Sequence, residues 1–120
     1  MNIIDWLQTQ HDKIMACEDS ALESMQIGDI DDYRKKMREK AELLAGLTDL
    51  AAPMLAQMPK DAASKLHAKL SQISESAATA LDLDSVFYMS ALLYPDEHKK
   101  GEPDNLQKLI NAFPMAWSTK

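Results

Sequence analysis

The chain has 120 residues, 46% of them hydrophobic and 27% charged, with a formal net charge of −6. That balance excludes an unfolded chain, and the length suits one domain over residues 1–120 rather than two. The negative charge argues against a nucleic-acid partner, because phosphate contacts need a net basic face.

Only three glycines, set against abundant Ala, Leu, Met, Gln, Glu and Lys, predict an all-α protein. Asn2 is placed to cap a first helix with inward positions Ile4, Leu7, His11, Ile14, Glu18, Ala21 and Met25. That spacing is close to the period of a bundle seam, with His11 and Glu18 as polar interruptions. Gly28 follows as a stop, and Asp29 caps a second helix across a tight turn, which makes the two antiparallel neighbours.

The second helix places Ile30, Tyr33, Met37, Ala41, Leu44, Leu47, Ala51, Met54 and Met58 on one side. Asp31–Lys35 and Asp32–Lys36 are i,i+4 pairs in the favourable order, acid first. Gly46 inside this helix costs about 1 kcal/mol against alanine, so it is expected to make room for His11 or for a close helix crossing. Pro53 removes a backbone donor and predicts a kink or an end near Ala52.

Pro59 suits the first turn of a third helix with core positions Leu66, Leu70, Ile73, Ala77, Leu81 and Tyr88, ending by Tyr94 because Pro95 restricts the residue before it. After a polar loop from Asp96 to Glu102, Pro103 and Asp104 open a short fourth helix with Leu106, Leu109, Ile110 and Phe113, closed before Pro114. The tail that follows contains Trp117. The expected architecture is an antiparallel up-down bundle of three long helices plus a short C-terminal fourth.

In that register Met89 lies opposite Asp29, so the third helix outruns its neighbours and is apolar all round near Val86–Tyr94. Each Leu or Phe left exposed there forfeits about 1.5–3 kcal/mol of burial, so the tip needs a cover. Val86, Phe87, Tyr88, Met89, Leu92, Leu93 and Tyr94 are therefore the candidate partner-binding residues, with Met89 supplying an adaptable contact. Leu106, Leu109, Ile110 and Phe113 of the fourth helix form a candidate lid. A partner protein or a second copy in a homodimer is the alternative cover.

No catalytic signature accompanies this surface. His11 lies on the first seam, where Glu18 and Glu75 are the carboxylates for a shared polar layer or a metal, yet the chain has no Glu-x-x-His. The run His67-Ala68-Lys69-Leu70-Ser71 exchanges the lysine and leucine of the pattern that histidine phosphotransfer domains carry, and His98 sits in a charged loop. Cys17 has an anionic neighbour in Glu18, which disfavours a thiolate, and Ser71, Ser74 and Ser76 lack an activating turn. Arg34 and Arg38 share a face that is able to grip an acidic partner, although interleaved acids favour a self-paired solvated face.

The expectation is a protein that is not an enzyme, with no cofactor and no metal. A single cysteine suits a reducing compartment, the N-terminus does not read as a signal peptide, and no window spans a membrane, so the expected location is cytoplasmic.

The segment Ala21–Leu50 resembles FliT-type flagellar export chaperones and related small helical export chaperones. The resembling residues are Ser24-Met25-Gln26-Ile27-Gly28-Asp29, then Tyr33, Arg38 and Leu43-Leu44. The resemblance implies a bundle whose short last helix covers a groove that holds a partner protein. The residues after Tyr94, including Pro95-Asp96-Glu97-His98 and Asp104-Asn105-Leu106, depart from that family's pattern.

Overall fold

The computed structural model describes residues 2–95 and 97–112, and these are helical throughout apart from turns and loops. The helices are α1 (Ile3–Gln26), α2 (Ile30–Ala45), α3 (Leu47–Leu55), α4 (Lys60–Asp82), α5 (Val86–Ala91) and α6 (Asn105–Ala112). Phe113 and the tail with Trp117 lie outside the described residues.

Helix α1 opens where the Asn2 side chain accepts the Asp5 N–H at 2.8 Å. It closes in a Schellman turn: Gly28 adopts φ +83°, its N–H bonds the Met25 carbonyl, and the Asp29 N–H bonds the Ser24 carbonyl. Asp29 then caps α2 by accepting from the Asp32 N–H, as its position after Gly28 implied.

Two of the expected long helices are broken. The break between α2 and α3 falls at Gly46, not at Pro53. In an unbroken helix the Thr48 N–H would bond the Leu44 carbonyl. The buried Ser74 hydroxyl stands between them instead, donating to the Leu44 carbonyl at 2.8 Å and accepting from the Thr48 N–H at 3.3 Å. A side chain inserted into the ladder bends a helix, and here it comes from α4. A Cβ on Gly46 would meet only the Glu42 carbonyl, at 3.6 Å, so the glycine makes room for neither His11 nor a close crossing. Pro53 sits within α3, which continues to Leu55; both Pro53 and Asp49, whose carbonyl loses its donor, are exposed.

The third expected helix stops at Asp82 rather than near Tyr94. Asp84 takes φ +49° and completes a second Schellman turn, with Asp84 N–H to the Leu81 carbonyl and Ser85 N–H to the Ala80 carbonyl. Ser85 then caps α5 by accepting the Tyr88 N–H. The long apolar overhang does not form, because the chain turns there and sends Met89, Leu92 and Leu93 back into the core.

Helix α2 packs along α1 and along α4, while α1 and α4 do not pack along each other. The C-terminal segment joins the two sides: α5 rests on α2 and α4, and α6 rests on α1. The buried apolar residues form one cluster, which includes Leu7, Ile14, Met37, Leu44, Leu66, Leu70, Met89 and Leu106. Along α1 the buried face is Ile3, Leu7, His11, Ile14, Glu18, Ala21 and Ser24; the expected Ile4 is half-buried and Met25 is exposed.

Candidate functional site

Helix α2 carries a lysine where its spacing calls for an apolar residue. Lys40 lies on the same stripe as Met37, Ala41 and Leu44 and is 0% exposed. Its ammonium reaches Glu18 Oε1 at 2.7 Å and the Ser90 carbonyl at 3.2 Å, and it lies 5.1 Å from the centre of the Tyr94 ring. The second Glu18 oxygen accepts the Tyr94 hydroxyl. Burial pulls the Lys40 pKa below its ordinary value, with the Glu18 contact opposing it. Burial and then the Glu18 bond push the Tyr94 phenol well above its ordinary range. One residue each from α1, α2 and the segment after α5 is thereby fixed in place.

A second buried pair seats α6. His11 Nε2 lies 2.7 Å from Asp104 Oδ2, and the other Asp104 oxygen accepts the Gln107 N–H, which caps the helix. Hydrogen bonding to Asp104 raises the His11 pKa despite burial. Burial pushes Asp104 up, but the His11 bond, the Gln107 N–H and the imidazole charge together hold it below the usual carboxylate range. Gln8 and Gln107 exchange amide hydrogen bonds at 3.0 Å in both directions, and the Asn105 N–H bonds the Leu93 carbonyl. His11 Nδ1 is buried without a hydrogen-bond partner among the described residues.

With α6 drawn toward α1, an open groove remains between α4 and the α5–α6 segment. One half, of about 540 Å³, is lined by Lys69, Gln72 and Ile73 of α4 and by Asn105, Lys108, Leu109 and Ala112 of α6. The other half, of about 560 Å³, lies between Thr79 and Ala80 of α4, with Leu83 just after it, and Tyr88 and Ala91 of α5. Ser76, Leu92, Leu93 and Asn105 border both halves. Residues 69, 72, 73, 76 and 80 of α4 and its C-cap Leu83 recur at helical spacing, so one continuous face, about 21 Å long at 1.5 Å per residue, borders the groove. Leu93 at its floor adopts φ +77°, a conformation disfavoured for a bulky side chain, and its carbonyl anchors Asn105.

The strip expected from Val86 to Tyr94 is divided by this geometry. Met89, Leu92 and Leu93 are buried in the core with Leu106, Leu109 and Ile110 of the expected lid. Val86 and Tyr94 are half-buried, whereas Phe87 is 71% exposed and Tyr88 is exposed with one side on the groove. Phe113, the last expected lid residue, lies outside the described residues. Further exposed apolar side chains, Leu22, Met25, Ile27 and Ile30, flank the α1–α2 turn.

The remaining candidates sit apart from the groove floor. Glu75 is exposed and does not share a layer with His11 and Glu18, which pair with Asp104 and Lys40 instead. His67 is exposed on α4, and His98 bonds the Glu102 carbonyl and packs edgewise on Tyr94. Burial, and then the charge of Glu39, push the Cys17 thiol up. In the basic run, Lys36 pairs with Asp32 at 2.8 Å and Arg38 with Asp84 at 3.6 Å, while Asp31 and Lys35 form no ion pair among the described residues. Among the described residues no group of three or more His, Cys, Asp and Glu is placed to hold a metal ion, and no helix is long and apolar enough to cross a membrane. No family model, curated protein or solved structure matches the chain.

Proposed function

We propose that this chain is a protein-interaction module of chaperone-like character, without catalysis of its own, that takes the apolar face of a partner's helix. The occupied site is the groove between α4 and the α5–α6 segment. The observation that carries this reading is the open groove that the face of α4 from Lys69 onward shares with Leu92 and Leu93. An antiparallel up-down course of α1, α2 and α4 frames it. That course is supported by pairings in which the numbers fall on one helix as they rise on the next: Glu18 with Lys40 and Ser24 with Asp32, then Leu44 with Ser74 and Arg38 with Asp84.

A helix of about 14 residues matches the groove's length, which is the helix-in-groove mode of recognition. In this reading the partner lies beside α6, whose apolar residues stay in the core, and α6 is a wall of the site. The export-chaperone resemblance of Ala21–Leu50 agrees with such a role, as do a cytoplasmic location and a protein rather than a nucleic acid or membrane as partner. Two or three buried Leu side chains contribute about 1.5–3 kcal/mol each.

The test is a fluorescence-anisotropy titration with a labelled amphipathic peptide of about 18 residues, Leu at i, i+3, i+4 spacing and Gln elsewhere. Ser76 is exposed and borders both halves, so Ser76→Trp fills the groove without touching the core. Saturable binding to the native chain, weakened at least tenfold by Ser76→Trp, supports the reading. Equal binding to both, or none to either, contradicts it.

A further inference from the structure

Both charged residues on the groove are lysines, in a chain whose net charge is −6. Lys69 comes from α4 and Lys108 from α6, so the two stand on opposite walls of the same half. Neither is ion-paired among the described residues, in contrast to Lys36, Arg38 and Lys40, which face Asp32, Asp84 and Glu18. Every other residue that borders either half is uncharged. Asp104, the nearest carboxylate in sequence to Lys108, is buried against His11 on the α1 side. The other half, bordered by Leu83, Tyr88 and Ala91, carries no charge.

We infer that the groove selects an amphipathic helix with acidic side chains on one end of its polar edge, Lys69 and Lys108 receiving those carboxylates. This rests on the groove being the docking site. A helix in the groove narrows the access of water to both ammonium groups. An acidic flank then meets two donors while a basic flank meets two like charges. Opposed charges of this kind set partner choice more than raw affinity, and salt weakens them. The partner is thereby specified by chemistry: an apolar stripe with Glu or Asp at the end that lies between α4 and α6, and a neutral end beside Tyr88.

The experiment uses three labelled peptides that share one leucine stripe and differ only in whether the flanking residues at one end are Glu, Gln or Lys. Each is titrated into the native chain and into Lys69→Glu/Lys108→Glu, with Lys65→Glu as a control on an exposed lysine of α4 that does not border the groove. The expected order on the native chain is Glu tightest and Lys weakest, with about a tenfold span that shrinks in high salt. The double variant reverses that order and Lys65→Glu leaves it intact. Three equal affinities, or an order unchanged by the double variant, overturn the inference while the groove reading stands. If no peptide binds, both fall.

Discussion

The interior where α1, α2 and the C-terminal segment meet is polar, although a bundle interior is ordinarily apolar. The groove side of α4 runs the other way, with Ile73, and Leu83 just after the helix, standing among Gln72, Ser76 and Thr79 on one stripe. In the first region Lys40, Glu18 and Tyr94 bond one another and His11 bonds Asp104, which limits the alternative placements of α5 and α6. In the second, the stripe stays open as a groove: Ile73 is half-buried and Gln72, Ser76, Thr79 and Leu83 are exposed. A charged pair that draws α6 to α1 leaves the groove on α4 open. The buried pairs thus act on the surface by fixing where the C-terminal segment lies.

The sharpest way to break this contrast is to remove the buried cation. Lys40→Ala leaves the Glu18 carboxylate without its cation and the Ser90 carbonyl without its donor, and urea melts are expected to show a loss of about 3–5 kcal/mol. Replacing the set together, as Lys40→Met with Glu18→Leu and Tyr94→Phe, is expected to restore most of that stability. It should also loosen the seating of Ser90–Tyr94 on α2, read as faster amide exchange there. A single variant with no measurable loss would remove the polar interior from the account.

The second test uses pH. The folded-state pKa of His11 is raised, so its contribution is complete below its unfolded value of 6.5 and is lost as pH rises through the higher folded value. Asp104 is lowered, so its contribution is present above 3.8 and is lost as pH falls through the lower folded value. Stability is expected to be greatest between those limits and to fall on each side. His11→Leu is expected to flatten the alkaline slope and to cost about 1.5–3 kcal/mol at pH 6, the range for a hydrogen bond to a charged group. An unchanged alkaline slope in His11→Leu would assign the pH dependence to other groups.

The two helix-ending glycines sharpen the comparison at smaller scale. Gly28 holds φ +83°, so Gly28→Ala is expected to destabilise by about 1–2 kcal/mol. Gly46 has an ordinary φ, and a Cβ there makes only an ordinary contact with the Glu42 carbonyl, so Gly46→Ala is expected to stabilise by about 0.5–1 kcal/mol, since Ser74 rather than the glycine holds the break. Thermal melts of the two separate these effects. The smallest expected effect is at the exposed end, where Ile27 is 82% exposed and Phe87 is 71% exposed. Ile27→Ser with Phe87→Ser is expected to shift stability by no more than about 0.5 kcal/mol. A larger loss that grows with protein concentration in the native chain would show that this end is covered by a second copy.

The helical class and the α1–α2 turn were legible because capping is local: Asn2, Gly28 and Asp29 act on neighbours within a turn. The same holds for Asp104 at the start of α6. His11 and Glu18 were readable as a polar seam from spacing alone. Their partners were not, since Lys40 and Asp104 reach them only after the chain has folded back. Lys40 did carry a signal, because it continues the stripe of Met37, Ala41 and Leu44; its charge disguised it. The end of α4 was hidden because Asp84 takes the left-handed position that a glycine ordinarily marks. The break at Gly46 depends on Ser74, a residue of another helix. The groove belongs to the same class of feature, visible only once α4, α5 and α6 stand together.

The most direct measurement is methyl-resolved NMR of the chain during titration with the leucine-stripe peptide. The account predicts that the methyl signals of Leu92, Leu93, Leu109 and Ile73 shift together and saturate, while those of Ile27 and Ile30 stay in place. Shifts confined to Ile27, Ile30 and Leu22, with the groove methyls unmoved, would contradict it.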